Sequence, residues 1–142
     1  MNIMISNVEI FDGREKLFGA YDVLIEKNLI SQINKSPSGN ALNGYLTIDG
    51  RGMTLMPGLV DLHVHLSWNG GMDPAKDLTH ETFPERMMTT VGSALSYLEH
   101  GITSVRDLGS PNDCALHIEK AIRGGKIKGP RIFSSGQSIM MT

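Results

Sequence analysis

The stretch from Pro57 to Leu66 limits the fold of this chain more than any other part of the sequence. It has the pattern of a β-strand over 59–66, in which alternate side chains share a face. The apolar face would consist of Val60, Leu62, Val64 and Leu66. The opposite face would consist of Leu59, Asp61, His63 and His65. Two imidazoles on one side of a strand can bind a single ion, and neutral imidazole is a common ligand of zinc, iron and nickel.

The residues before this strand have the pattern of short strands separated by turns. Strands are predicted over 2–11, 21–26, 29–33 and 45–48. Turns or loops are predicted at Asp12-Gly13, Lys27-Asn28, Pro37–Asn40 and Asp49-Gly50. This region shows no helical periodicity and no polar cluster of a catalytic kind. Residues 1–56 therefore predict a small β-sandwich or an open sheet.

From Pro57 onward, the sequence alternates between strand and helix patterns. The predicted helices cover 84–100, with Thr82 as N-cap and Gly101 as stop, and 111–123, with Ser110 as N-cap. The strands that follow the first one are predicted over 102–108 and 131–135. A β-α-β-α-β order predicts parallel strands joined by helical crossovers. Because a (β/α)8 barrel takes about 250 residues, residues 57–142 would supply about a third of one, and we expect a longer protein.

Composition and charge exclude several classes of function. The chain has 142 residues, of which 40% are hydrophobic and 20% charged, and a net charge of −2, as in soluble globular domains. It lacks the clustered basic surface of a nucleic-acid-binding protein. Its first residues lack the pattern of a secretory signal and no apolar run approaches the ~20 residues of a membrane helix, so we expect no leader and a cytoplasmic protein. A single cysteine, Cys114, excludes an internal disulfide and is expected to be a buried, inert thiol.

Three motifs resemble those of the metal-dependent amidohydrolase superfamily, and within it the imidazolonepropionase-like branch that includes Xaa-Pro dipeptidases. The motifs are Met56–His65, Gly101–Gly109 and Gly129–Gly136. The resemblance implies an α/β protein in which a composite N-terminal β-sandwich accompanies a (β/α)8 TIM-like barrel. Residues 1–56 would belong to the sandwich, and residues 57–142 would form the first third of the barrel.

By this resemblance, His63 and His65 match two metal ligands at the end of the first barrel strand. The family holds one or two divalent ions, most commonly zinc, and adds a carboxylated lysine, two further histidines and an aspartate from later strands. The sequence has no counterparts of those positions, so this chain alone is expected to be inactive. Asp61 is expected to orient an imidazole or to bond within the barrel floor.

Two further regions are candidates for lining the site. Asp107 ends the second strand, where barrel chemistry gathers, and the alternatives are a site-lining role, a salt bridge with Arg106 or a loop cap. The loop over 67–82 follows the metal strand, and its Trp68 and His80 are candidates for substrate contact.

The function implied by the resemblance is hydrolysis of C–N bonds by a metal-activated water. The substrate would be a small amide, a dipeptide or a cyclic amide. A deaminase of the same superfamily and a non-catalytic scaffold or interaction protein are the alternatives. Because the predicted sheets would have open edges, self-association into a homo-oligomer is also expected.

Overall fold

A computed structural model gives the structure of this protein. It describes residues 1–36, 42–68, 70–71 and 80–139. The chain divides into two compact units, Met1–Pro57 and Gly58–Thr142. The loop predicted over 37–40 lies outside the described residues. None of the described helices has the length and apolar character that crossing a membrane would require.

The first unit is a mixed five-stranded sheet. Its strands are β1 (Asn2–Phe11), β2 (Lys16–Glu26), β3 (Leu29–Lys35), β4 (Tyr45–Asp49) and β5 (Thr54–Leu55). They lie in the order β3-β2-β1-β4, and β5 pairs with the far end of β1. Pairs β1–β2 and β2–β3 are antiparallel, whereas β4 and β5 run parallel to β1. The four predicted strands are all present, but β2 begins five residues early, and the two-residue β5 is too short for a sequence pattern to predict.

Local turn chemistry explains how β1, β2 and β3 follow one another. Lys27 and Asn28 both have positive φ, 50° and 71°, which suits the right-handed twist of a tight hairpin. At the preceding turn, the Asp12 carboxylate accepts hydrogen bonds from the backbone N–H groups of Glu15 at 2.9 Å and Arg14 at 2.8 Å. These two bonds lower the pKa of Asp12.

The second unit alternates strands and helices. Its elements are β6 (Leu59–Val64), α1 (Phe83–Glu99), β7 (Ile102–Asp107), α2 (Cys114–Arg123) and β8 (Arg131–Ser134). The strands form a sheet in the order β6-β7-β8, and both pairs are parallel. The predicted β-α-β-α-β order and its parallel pairing are confirmed.

Helix α1 begins and ends as its sequence predicts. It starts at Phe83, one residue before the predicted start, and Thr82 is its N-cap residue. The Glu85 carboxylate accepts hydrogen bonds from the hydroxyl of Thr82 at 2.6 Å and from its backbone N–H at 2.8 Å, and both bonds lower the pKa of Glu85. After the helix, Gly101 has φ of 81°, a conformation that glycine adopts without strain.

The predicted start of the second helix is wrong. Helix α2 begins at Cys114 rather than at residue 111, because Asn112 and Asp113 both have φ of 55° and interrupt the helical path after a short 3-10 turn. Ser110 does not cap the helix. Its hydroxyl donates instead to the carboxylate of Asp107.

The core of the second unit lies between the sheet and the two helices. Its buried members are Val64, Leu66, Ala94, Val105, Ala115, Ile118 and Ile132. The prediction that all of Val60, Leu62, Val64 and Leu66 form one buried face is only half right. Val64 and Leu66 are buried, whereas Val60 and Leu62 are 60% and 59% exposed.

An irregularity in the pairing of β6 with β7 explains this difference. Asp61 lies opposite the buried Val105, and Val64 lies opposite the buried Asp107. Three steps along β6 therefore match two steps along β7, as in a β-bulge. Strict alternation fails across the bulge, so Asp61 and Val64 share the helix-facing side of the sheet, contrary to the predicted common face of Asp61 and the histidines.

Candidate metal centre

The two imidazoles of the His-x-His motif come together at the C-terminal end of β6. The ring centroids of His63 and His65 are 5.5 Å apart, and the rings are edge-to-face, with 71° between their planes. His63 is exposed and His65 is half-buried. The buried neighbours Val64 and Leu66 fix the backbone that carries both rings.

One hydrogen bond sets the state of His65. Its Nδ1 lies 2.9 Å from the carbonyl oxygen of Gly109, in the loop that follows β7. A carbonyl oxygen can only accept, so Nδ1 carries a proton, and in the neutral imidazole that a metal requires the lone pair therefore lies on Nε2. Trp68 stacks on the same imidazole, with centroids 4.6 Å apart and 17° between the planes. His65 therefore presents a single, oriented nitrogen to a ligand.

Asp61 acts on the backbone of the motif. Its carboxylate accepts a hydrogen bond from the backbone N–H of His63 at 3.0 Å, inside the irregular stretch of β6. Burial, and secondarily the negative charge of Asp61, raise the pKa of Tyr97 on α1. Both observations link Asp61 to the strand and to the helix side of the sheet.

Asp107 organises the loops at this edge of the sheet. It is 0% exposed, and its carboxylate accepts hydrogen bonds from the N–H of Leu66 at 2.9 Å, from the N–H of Gly109 at 3.1 Å and from the hydroxyl of Ser110. The sequence left three alternatives for Asp107: a site-lining role, a salt bridge with Arg106 or a loop cap. These contacts are those of a loop cap. The guanidinium of Arg106 is exposed and donates to the carbonyl of Leu62 at 2.8 Å.

The remaining candidates divide between those near the imidazoles and those apart from them. Trp68 is in direct contact with His65. His80 is exposed and precedes α1. Across residues 1–36, 42–68, 70–71 and 80–139, no three histidine, cysteine or acidic side chains form a group that could hold a metal ion, so His80 does not complete a site with His63 and His65.

A metal would therefore find two nitrogen donors among the described residues. The donor chemistry fits zinc, which binds imidazole readily, and the protonated Nδ1 of His65 leaves the correct lone pair free. A catalytic zinc site has three protein ligands plus a water, so these two residues fit as part of a site. Sequence patterns identified the two histidines, but they did not identify Gly109, whose carbonyl is the partner of His65.

Cys114 has the properties expected of an inert thiol. It is fully buried at the start of α2, and burial is the largest cause that raises its pKa. A thiol with a raised pKa stays protonated and is a poor nucleophile.

Residues 54–142 match the amidohydrolase family, which is more than half of the chain. The chain belongs to this family, as its motifs predicted. Members of the family are generally metal-dependent.

Among individual relatives, the chain is 38% identical over 66 residues to a dihydroorotase of Elusimicrobium minutum, covering 46% of this chain and 15% of that protein. It is 24% identical over 115 residues to adenine deaminase 2 of Shouchella clausii, covering 81% and 17% of the two chains. A solved Xaa-Pro dipeptidase with bound methionine superposes with a TM-score of 0.82 and 27% identity, covering 98% of this chain and 34% of that one. The chain thus spans about a third or less of the length of these proteins.

Proposed function

We propose that this chain supplies the first two metal ligands, His63 and His65, of an enzyme that hydrolyses C–N bonds in small amides, dipeptides or cyclic amides. The observation that carries the proposal is the bond between His65 Nδ1 and the Gly109 carbonyl, because in the neutral ring it leaves the lone pair on Nε2, where a metal can bind. Family membership and the His-x-His spacing support the same role.

Each neighbouring residue has a definable task in this proposal. Trp68 restricts rotation of the His65 ring by stacking on it. Asp61 fixes the backbone of His63 at the bulge. When bound, a zinc ion would lower the pKa of a coordinated water to about 7, which would make hydroxide available at neutral pH. The remaining ligands would come from outside the residues described in this structure.

The proposal includes a place for each part of the chain in the complete enzyme. Residues 57–142 would form the opening third of a TIM-like (β/α)8 barrel, and residues 1–56 would contribute to an N-terminal β-sandwich. The TM-score of 0.82 to the Xaa-Pro dipeptidase, over 34% of that chain, supports this arrangement. In such a barrel the site lies at the C-terminal ends of the strands, and His63 is near the end of β6 and His65 directly after it.

The test is hydrolysis and metal content of the full-length protein. Zinc-loaded protein should cleave at least one member of a panel of Xaa-Pro dipeptides, acyclic amides and cyclic amides. His63→Asn and His65→Asn should each lower kcat/KM by more than about 100-fold and lower bound zinc. His117→Asn is the matched control, because His117 is exposed on α2 and contacts Phe83. Full activity and metal content in both motif variants would contradict the proposal.

A deaminase is the second candidate, because the similarity to adenine deaminase 2 extends over 81% of this chain. The two reactions differ in their products. A deaminase releases ammonia from a ring amidine, whereas an amide hydrolase releases an amine and a carboxylate. Ammonia release from an aminopurine, with no cleavage of the amide panel, would favour the deaminase. Absence of metal and of both activities would favour a non-catalytic scaffold.

A further inference from the structure

Asp107 connects three loops at the C-terminal edge of the β6-β7-β8 sheet, two through its buried carboxylate and the third through its backbone carbonyl. It accepts the N–H of Leu66 after β6, and the N–H of Gly109 and the hydroxyl of Ser110 after β7. The backbone carbonyl of the same residue accepts the N–H of Ser135 after β8 at 3.0 Å. One residue therefore sets the relative positions of the loops that end all three strands.

Gly109 joins this network to His65. Its N–H donates to Asp107 and its carbonyl accepts from His65 Nδ1. Its φ is 146°, a conformation that favours glycine, and a side chain there would collide with the side chain of Ser138. The peptide groups of Gly109 are thus held on both sides, and its carbonyl has a defined direction.

We propose that Asp107 is a positioning residue that selects the tautomer of His65. By holding Gly109 on one side and Leu66 on the other, the carboxylate keeps the Gly109 carbonyl aligned with Nδ1. The proton then stays on Nδ1 and the lone pair of Nε2 faces outward. The consequence for metal binding rests on the proposed function, whereas the tautomer itself does not.

Asparagine in place of Asp107 provides the decisive change. The Leu66 N–H donates to one carboxylate oxygen and the Gly109 N–H to the other. The substitution keeps the shape of the side chain but replaces one of these oxygens by an NH2 group, which cannot accept, so one of the two backbone bonds is lost. The Gly109 loop would then lose its alignment with His65. A residue that served the fold alone would change stability but leave the tautomer of a folded protein as it was.

The experiment measures the side-chain 15N chemical shifts of His65 in 15N-labelled, metal-free full-length protein, as a pH series from which the tautomer of the neutral ring is determined. His65→Asn assigns the signals. The wild-type protein should show Nδ1–H and an unprotonated Nε2, and Asp107→Asn should show a mixture of tautomers. Asp113→Asn, the same change in the same loop, should match the wild type. Nε2–H in the wild type, or an unchanged tautomer in folded Asp107→Asn, would overturn the proposal.

Two further measurements separate possible failures. If Asp107→Asn does not fold, Ser110→Ala is the substitute variant, because it removes one of the three donors to the carboxylate. It should shift the tautomer ratio in the same direction by a smaller amount. An unchanged ratio would contradict the positioning role of Asp107. Zinc titration should show about 10- to 100-fold weaker binding in Asp107→Asn. Asp113→Asn should bind zinc as tightly as the wild type. A wild-type protein with the expected tautomer but no zinc affinity would refute the proposed function and leave the positioning role intact.

Discussion

The two units of this protein bury their apolar side chains in different ways. In the second unit, helices α1 and α2 cover one side of the sheet, and seven of the described residues form a shared buried core. In the first unit, the buried cluster consists of Val8, Ile10 and Val23, and all seven residues of β3 are exposed. A sheet covered by helices holds its strand ends firmly, and the candidate ligands lie at those ends.

Carboxylates also have different roles in the two units. In the first unit, Asp12 and Asp49 serve exposed turns, where they bond to nearby backbone N–H groups. In the second, Asp107 is buried and bonds to residues on two loops. Asp12 and Asp49 therefore each bond within their own turn, whereas Asp107 holds together loops that follow two different strands.

The largest expected effect separates the two kinds of burial. Leu66→Ala removes a side chain that is 0% exposed and should lower the free energy of unfolding by about 2–5 kcal/mol. Leu29→Ala, on the exposed strand β3, removes a side chain that is 72% exposed and should change it by less than about 0.5 kcal/mol. Urea denaturation of both variants measures the contrast. Similar losses would show that β3 is covered in solution.

A pair of glycine substitutions should have opposite signs. Gly50→Ala, in the first unit, would bring a methyl group against the Cβ of Val8 and the carbonyl of Ser6, with an expected loss of about 1–3 kcal/mol. Gly92→Ala, in the middle of α1, meets no atom of the described residues within 4 Å beyond its chain neighbours and the backbone of its own helix, and should gain about 0.5–1 kcal/mol from helix propensity. Thermal unfolding measures both changes. A stable Gly50→Ala protein would show that the loop after β4 can relax.

The smallest expected effect is a dependence of stability on acid pH. Hydrogen bonds lower the pKa of Asp12 in the first unit and of Glu85 in the second. A lowered folded pKa stabilises the protein above the unfolded pKa, near 3.9 for Asp and about 4.3 for Glu, and this contribution is lost as pH falls through the folded value. Asp12→Asn and Glu85→Gln should therefore each reduce the fall in Tm between about pH 6 and about pH 3. An unchanged pH profile would contradict the role of these bonds.

Much of the second unit could be predicted because local patterns determine it. Apolar spacing of three and four residues predicted α1 to within one residue at each end, and the Thr82 cap marked its start. The start of α2 could not be predicted, because Ser110 is a good helix cap by type. Its hydroxyl donates to the Asp107 carboxylate instead, and this bond depends on the position of the loop after β7.

The first unit could be predicted only in part. Alternating residues and turn signals identified four strands. The pairing of β5 with β1 joins residues about 45 positions apart, Glu9 with Thr54 and Ile10 with Leu55. A two-residue strand is too short to show a recognisable sequence pattern. Long-range pairing of this kind depends on the whole sheet rather than on local preference.

The sequence by itself determined the order of strands and helices and the presence of two imidazoles two residues apart at the end of β6. It also identified the family, because the motif residues are close together along the chain. Only the tertiary structure decided which side of the sheet Asp61 occupies, what Asp107 binds and which nitrogen of His65 is free. The reason is that these outcomes depend on a β-bulge and on hydrogen bonds between residues 41 and 44 positions apart, which exist only after β6 and β7 have paired.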